Sequence, residues 1–150
     1  MISKSATRVS DQTTHASNER IRRQMEASIA YYAQHHDLIG RRLLELDQEW
    51  DIERVLETGS STLTLTGLLM SITSSRKWLL LSFVVQGFFM QHAMQGWCPP
   101  LPVFRRLGIR TPDEINRERY ALKALRGDFR DGDAAGEKDG TERALHAVTG

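Results

Sequence analysis

Cys98 is the only thiol in the chain, and His92 lies just before it with Gln91 and Gln95 close by. A thiol and an imidazole together can be two ligands of a soft metal. Two copies of the chain would offer His92 and Cys98 twice over, a donor set that tetrahedral zinc accepts. One copy supplies too few ligands, and glutamine is a poor one. The competing reading is that polar residues on an apolar helix join helices by hydrogen bonds. Cys98 also falls where a helix should end, and the partial negative charge of that end disfavours a thiolate. Cys98 is therefore the candidate reactive thiol, with a structural role as the plainer alternative.

Other constellations are absent or bland. His35 and His36 sit beside Asp37 on an amphipathic stretch, where exposed or half-buried histidines are ordinary. Glu45, Asp47, Glu49, Asp51, Glu53 and Glu57 form an acidic run that reads as a solvated face paired with nearby arginines. No Glu-x-x-His pair of the diiron kind, no Ser/His/Asp spacing and no phosphate-cradling glycine loop stands out. The expectation is a protein that is not an enzyme, with no catalytic or metal residues and no cofactor.

The 150 residues, with 20 basic and 19 acidic side chains, fit one modest domain. A net charge of +1 lacks the basic excess of a nucleic-acid partner. One cysteine excludes an internal disulfide. Mean hydropathy is negative, but polar ends conceal an apolar centre.

The elements read as all-α. Residues 1–17 are Ser, Thr and charge, a disordered tail. Residues 18–57 carry two amphipathic helices: Ile21, Met25, Ile29, Tyr32, His36 and Ile39 recur at helical spacing, Gly40 interrupts, and Leu43, Leu46, Trp50, Val55 and Leu56 continue. Residues 58–98 form a helical hairpin of two uncharged arms, turning at Arg76-Lys77. The arm Leu79–Trp97 is apolar all round, which means deep burial or lipid, and each arm could reach roughly 27–30 Å. The Thr62–Thr66 alternation permits a strand, but a helix satisfies its own backbone, and its hydroxyls can bond back one turn. Gly67, Ser71 and Ser75 make a small-residue row for helix packing, and Gly87 and Gln91 are the packing candidates on the other arm. Residues 99–128 open with Pro99-Pro100 and hold a basic amphipathic helix, capped by Thr111, Pro112 and Glu114 and stopped by Gly127. Residues 129–150 read as a second disordered tail.

The fold expected from these patterns is a two-helix transmembrane hairpin flanked by amphipathic cytoplasmic helices. Arg41, Arg42, Arg54, Arg105, Arg106, Arg110 and Arg117 flank the hairpin against Arg76 and Lys77 in its turn, which places both termini in the cytoplasm of a two-pass inner-membrane protein. Its partners would be the lipid bilayer and a second copy or another membrane protein.

Gly96-Trp97-Cys98-Pro99, closing an apolar helix and followed by Leu107-Gly108, resembles the YgaP-like transmembrane domain family of small bacterial inner-membrane proteins. Asp51-Ile52-Glu53-Arg54 matches that family's Arg-containing approach, and the likeness spans roughly residues 50–110. It implies an α-helical hairpin that self-associates. Some members carry a rhodanese domain that passes sulfane sulfur through a cysteine, and nothing in this chain resembles that active-site loop. The leading functional expectation is a self-associating or accessory membrane component. The rivals are a soluble helical interaction module, with Leu79–Trp97 as its central buried helix, and a sulfur- or redox-transfer accessory using Cys98.

Overall fold

A computed structural model describes residues 7–129, and among these the chain is all-α, with no strand. The elements run α1 (Arg8–Asp11), α2 (His15–Tyr32), a 3-10 turn at His36–Leu38, α3 (Ile39–Gln48) and α4 (Ile52–Thr73). A second 3-10 turn at Arg76–Trp78 leads to α5 (Leu79–Gln95), α6 (Leu101–Arg106) and α7 (Pro112–Arg126). Two compact units divide the described residues, 7–24 with 49–115 in one and 25–48 with 116–129 in the other.

The first unit is built on the α4–α5 hairpin. Asp51 starts α4 by accepting a hydrogen bond from Arg54 N at 2.8 Å, which satisfies one of the donors a helix start leaves open. Thr62, Thr66 and Thr73 bond back to the carbonyls of Thr58, Thr62 and Leu69 at 2.7, 2.8 and 3.0 Å. The threonines are thus absorbed into the helix, and the strand alternative is not realised. Gly96 ends α5 at φ +77°, a left-handed step that glycine takes without strain. Where the two prolines lead one to expect a plain turn, α6 starts straight after Pro100. Pro102 is tolerated there because the first turn of a helix needs no N–H from it.

The arms are antiparallel neighbours. Ser82 Oγ donates to Thr64 O at 3.0 Å and Gln86 Nε2 to Thr64 Oγ1 at 2.8 Å. Gly67 lies buried against α5, where an added Cβ would stand 2.5 Å from Ser82 Oγ. Below this seam Val9, Ile52, Leu56, Cys98 and Leu101 form the core, with Phe89, Trp97, Phe104 and Ile109 packed on it. Residues 7–17, expected as tail, instead form α1 and the start of α2, because Val9 finds a place in that core. The tail expected over 129–150 lies outside the described residues except for Phe129.

Buried Arg105 organises the rest of this unit. It meets Glu114 through both nitrogens, at 2.8 and 2.7 Å, and also donates to Asn18 Oδ1 at 2.9 Å and Ile109 O at 3.0 Å. Thr111 and Glu114 form the expected capping box: Thr111 N reaches Glu114 Oε2 at 2.8 Å, and Glu114 N reaches Thr111 Oγ1 at 3.2 Å. In the second unit Ile39, Leu43, Leu46 and Leu122 are buried. Buried Glu118 accepts from Ser28 at 2.6 Å and Arg42 at 3.0 Å.

No helix among the described residues is long and apolar enough to cross a membrane. This overturns the expected two-pass inner-membrane location with both termini cytoplasmic. The apolar run of the second arm is clipped to 17 residues by the 3-10 turn before it and Gly96 after it. At 1.5 Å per residue that is about 26 Å, short of the ~30 Å hydrocarbon layer. The first arm belongs to a helix that begins with Glu53, Arg54 and Glu57 and is rich in hydroxyls. The arginines used to orient the hairpin are partly internal: Arg105 pairs with Glu114, and Arg110 pairs with Glu49, its Nε donating at 2.7 Å. Such arginines are structural members rather than free flanking charges.

Candidate functional site

Four side chains meet where the two arms and the N-terminal segment join. Glu53 comes from the first turn of α4, His92 from the last turn of α5, Arg8 from α1 and Cys98 from the link to α6. α1 is held close because Gly96 has no side chain: a Cβ there would lie 2.4 Å from Arg8 O. Glu53 divides its oxygens between two cations. Oε1 accepts from Arg8 Nη2 at 2.8 Å and Oε2 lies 3.0 Å from His92 Nε2.

His92 is 1% exposed. Burial of the ring opposes its charge, but Cys98 and Glu53 outweigh that and lift its pKa to about 9. The hydrogen bond from His92 in turn holds Glu53 below the usual carboxylate value, against its burial and with help from Arg8. With Nε2 on Glu53, Nδ1 is left buried without a hydrogen-bond partner among the described residues. At neutral pH His92 is therefore protonated, an imidazolium held by the Glu53 carboxylate.

Cys98 is buried in the core and free of any disulfide. It also lines a cavity of about 270 Å³ between the arms, walled by Leu63, Val85, Phe88, Pro100 and Phe104. The lining is almost wholly apolar. Chemically, the arrangement sets a buried thiol at the wall of an apolar cavity, whose lining does not include His92 or Glu53. Among the described residues no three His, Cys, Asp or Glu side chains group as metal ligands.

The packing candidates are placed variously. Gly67 sits in the seam between the arms. Ser71 Oγ bonds back to Leu68 O at 2.6 Å. Ser75 caps the 3-10 turn, its hydroxyl accepting from Lys77 N at 3.4 Å. Gly87 is exposed, with nothing within 4 Å of an added Cβ, and Gln91 is half-buried.

Sequence reasoning missed Glu53 and Arg8. Glu53 was grouped with a solvated acidic run, and Arg8 with a tail. The signal that could have found Glu53 is its position one helical turn before Leu56, on the side of α4 that reaches the core. Ser82 was also missed, although it shares the i, i+3, i+4 row with Gln86, Phe89 and His92. No family model, curated protein or solved structure matches the chain.

Proposed function

We propose that this chain is a self-associating helical module, in which the α4–α5 hairpin of one copy covers the hairpin of a second. The observation that carries this reading is the set of large apolar side chains left exposed on both arms. Ile72 is 83% and Phe83 74% exposed, and Leu65, Leu69, Leu80 and Met90 are each more than half exposed. Apolar surface costs about 25 cal/mol per Å² in water, and patches beyond a few hundred Å² mark interaction sites.

The second copy is favoured as occupant by charge. No Asp, Glu, Lys or Arg occurs from Thr58 to Ser75 or from Trp78 to Pro102. A foreign partner would be selected by complementary charges at the rim, and these arms offer none. An uncharged face is its own complement and can repeat about a two-fold axis. The short likeness to the YgaP-like family points the same way, towards a hairpin that self-associates.

Sedimentation of the full chain tests this. The wild type should be a dimer or larger at micromolar concentration. Ile72→Asp with Phe83→Asp should move it to monomer while leaving helix content unchanged, since neither side chain is buried. A wild-type chain that stays monomeric across the accessible range refutes the reading, whether or not another protein binds the hairpin.

A further inference from the structure

Self-association would use the exposed faces of the two arms, whereas the base of the hairpin is covered by the chain's own N-terminal segment. α1 and the turn after it, residues 7–14, lie against the start of α4 and the end of α5. Arg8 pairs with Glu53 of α4 at 2.8 Å, and Val9 is buried in one core with Ile52, Leu56, Cys98 and Leu101. The backbone passes so close to Gly96 that a Cβ there would stand 2.4 Å from Arg8 O. The far end is fixed by Asn18, whose amide donates to Ser10 O at 2.8 Å and accepts from buried Arg105 at 2.9 Å.

This docking is poised rather than firm. A helix of four residues has no stability of its own. Its holds on the hairpin are a valine side chain and an ion pair whose two side chains are each 25% exposed. Docking also buries Arg8 Nε without a hydrogen-bond partner among the described residues, a donor that water would satisfy in the lifted state. α4 and α5 are instead 22 and 17 residues long and joined along their seam. Segments with few buried contacts open before those with many.

We propose that residues 7–14 are a displaceable strap, which lifts from the base of the hairpin while α4 and α5 stay folded and paired. Asn18 is its pivot and Glu53 its latch. Because Glu53 also holds His92 at 3.0 Å, the arms keep a bond at their base after Arg8 has left. Lifting Val9 bares Ile52, Leu56, Cys98 and Leu101. Leu56 and Cys98 also wall the cavity between the arms, so the lifted state exposes two residues of that wall.

Native-state hydrogen exchange on the full chain tests this. Asp11 N, Gln12 N and Thr13 N are bonded within the strap to Thr7 O, Val9 O and Ser10 O at 2.8, 3.2 and 3.2 Å, and the amides from Phe83 to Phe89 report α5. In the wild type the strap amides should be less protected than those of α5 by about tenfold or more. Their exchange should vary little with urea, whereas that of α5 should rise steeply, as whole-unit unfolding does. Arg8→Met removes the latch but leaves Glu53 on His92. It should speed the strap amides by about tenfold, the loss of one charge-assisted hydrogen bond, and leave α5 within about twofold. The proposal is overturned if strap and α5 amides exchange together at every urea concentration, or if Arg8→Met leaves the strap unchanged or loosens both segments alike.

Discussion

Arg105 and Glu114 face each other as a two-pronged ion pair, with the guanidinium completely removed from solvent. The same carboxylate caps α7, so one side chain closes a helix and neutralises a buried cation. Burial resists the charge on Glu114, but hydrogen bonds from Arg105 and Thr111 hold its pKa below the usual value. Glu114→Ala leaves Arg105 charged and unpaired in the interior and should cost about 3–5 kcal/mol. Urea unfolding measures this, and a loss below about 1 kcal/mol would contradict the pairing.

Stability should depend on pH through His92 and Glu53. The folded pKa of His92, about 9, lies above its ordinary 6.5. Its stabilisation is therefore complete below pH 6.5 and lost as pH rises through about 9. The pKa of Glu53 is lowered from 4.5, so its contribution is present above pH 4.5 and lost as pH falls through the depressed value. The chain should be most stable between these limits, losing at most about 3 kcal/mol towards alkaline pH. Glu53→Gln should flatten the alkaline limb of an unfolding series, and an unchanged limb would show that His92 is held by something else.

The seam between the arms predicts a rescue. Gly67→Ala forces a Cβ to within 2.5 Å of Ser82 Oγ and 3.1 Å of Trp78 O, an overpacking that should cost about 1–3 kcal/mol. Ser82→Ala alone should cost less, since it removes a hydroxyl whose partner, Thr64 O, is already part of a helix. The double variant should recover part of the Gly67→Ala loss, because the two sites share one contact. Strict additivity in thermal or chemical unfolding would place the contact elsewhere.

Two glycines of α5 and its end should respond oppositely. Gly87→Ala adds a methyl to open space on a helix and should stabilise by about 0.5–1 kcal/mol through helix propensity. Gly96→Ala meets both a left-handed backbone and the Arg8 carbonyl, and should destabilise by about 2 kcal/mol or more. Proteolysis near α1 would report the same loss, since that segment could no longer dock.

Local rules made much of the fold legible. Thr111, Pro112, Glu114 and Gly127 mark the bounds of α7 through donors and carbonyls that a helix end must satisfy, whatever surrounds it. Thr62 and Thr66 declared their back-bonding in the same way. The apolar run of α5 was visible, but not how much of it a 3-10 turn and Gly96 would leave helical, and the membrane expectation failed there. The candidate site was the least legible part. Cys98 and His92 are near in sequence and drew notice together. Glu53 and Arg8 are remote, and a charged residue advertises nothing about the partner it will meet after folding. Val9 is a single apolar residue in a polar stretch, too little periodicity to anticipate its burial.

The bonds of Glu53 span 45 residues back to Arg8 and 39 forward to His92. A nascent chain emerging from the ribosome therefore makes the carboxylate well before its second cation, and no product truncated ahead of residue 92 can hold the pair. The pocket thiol arrives later still. Any chemistry at Cys98 thus belongs to the fully threaded domain, and reading it out reports that translation has passed both arms.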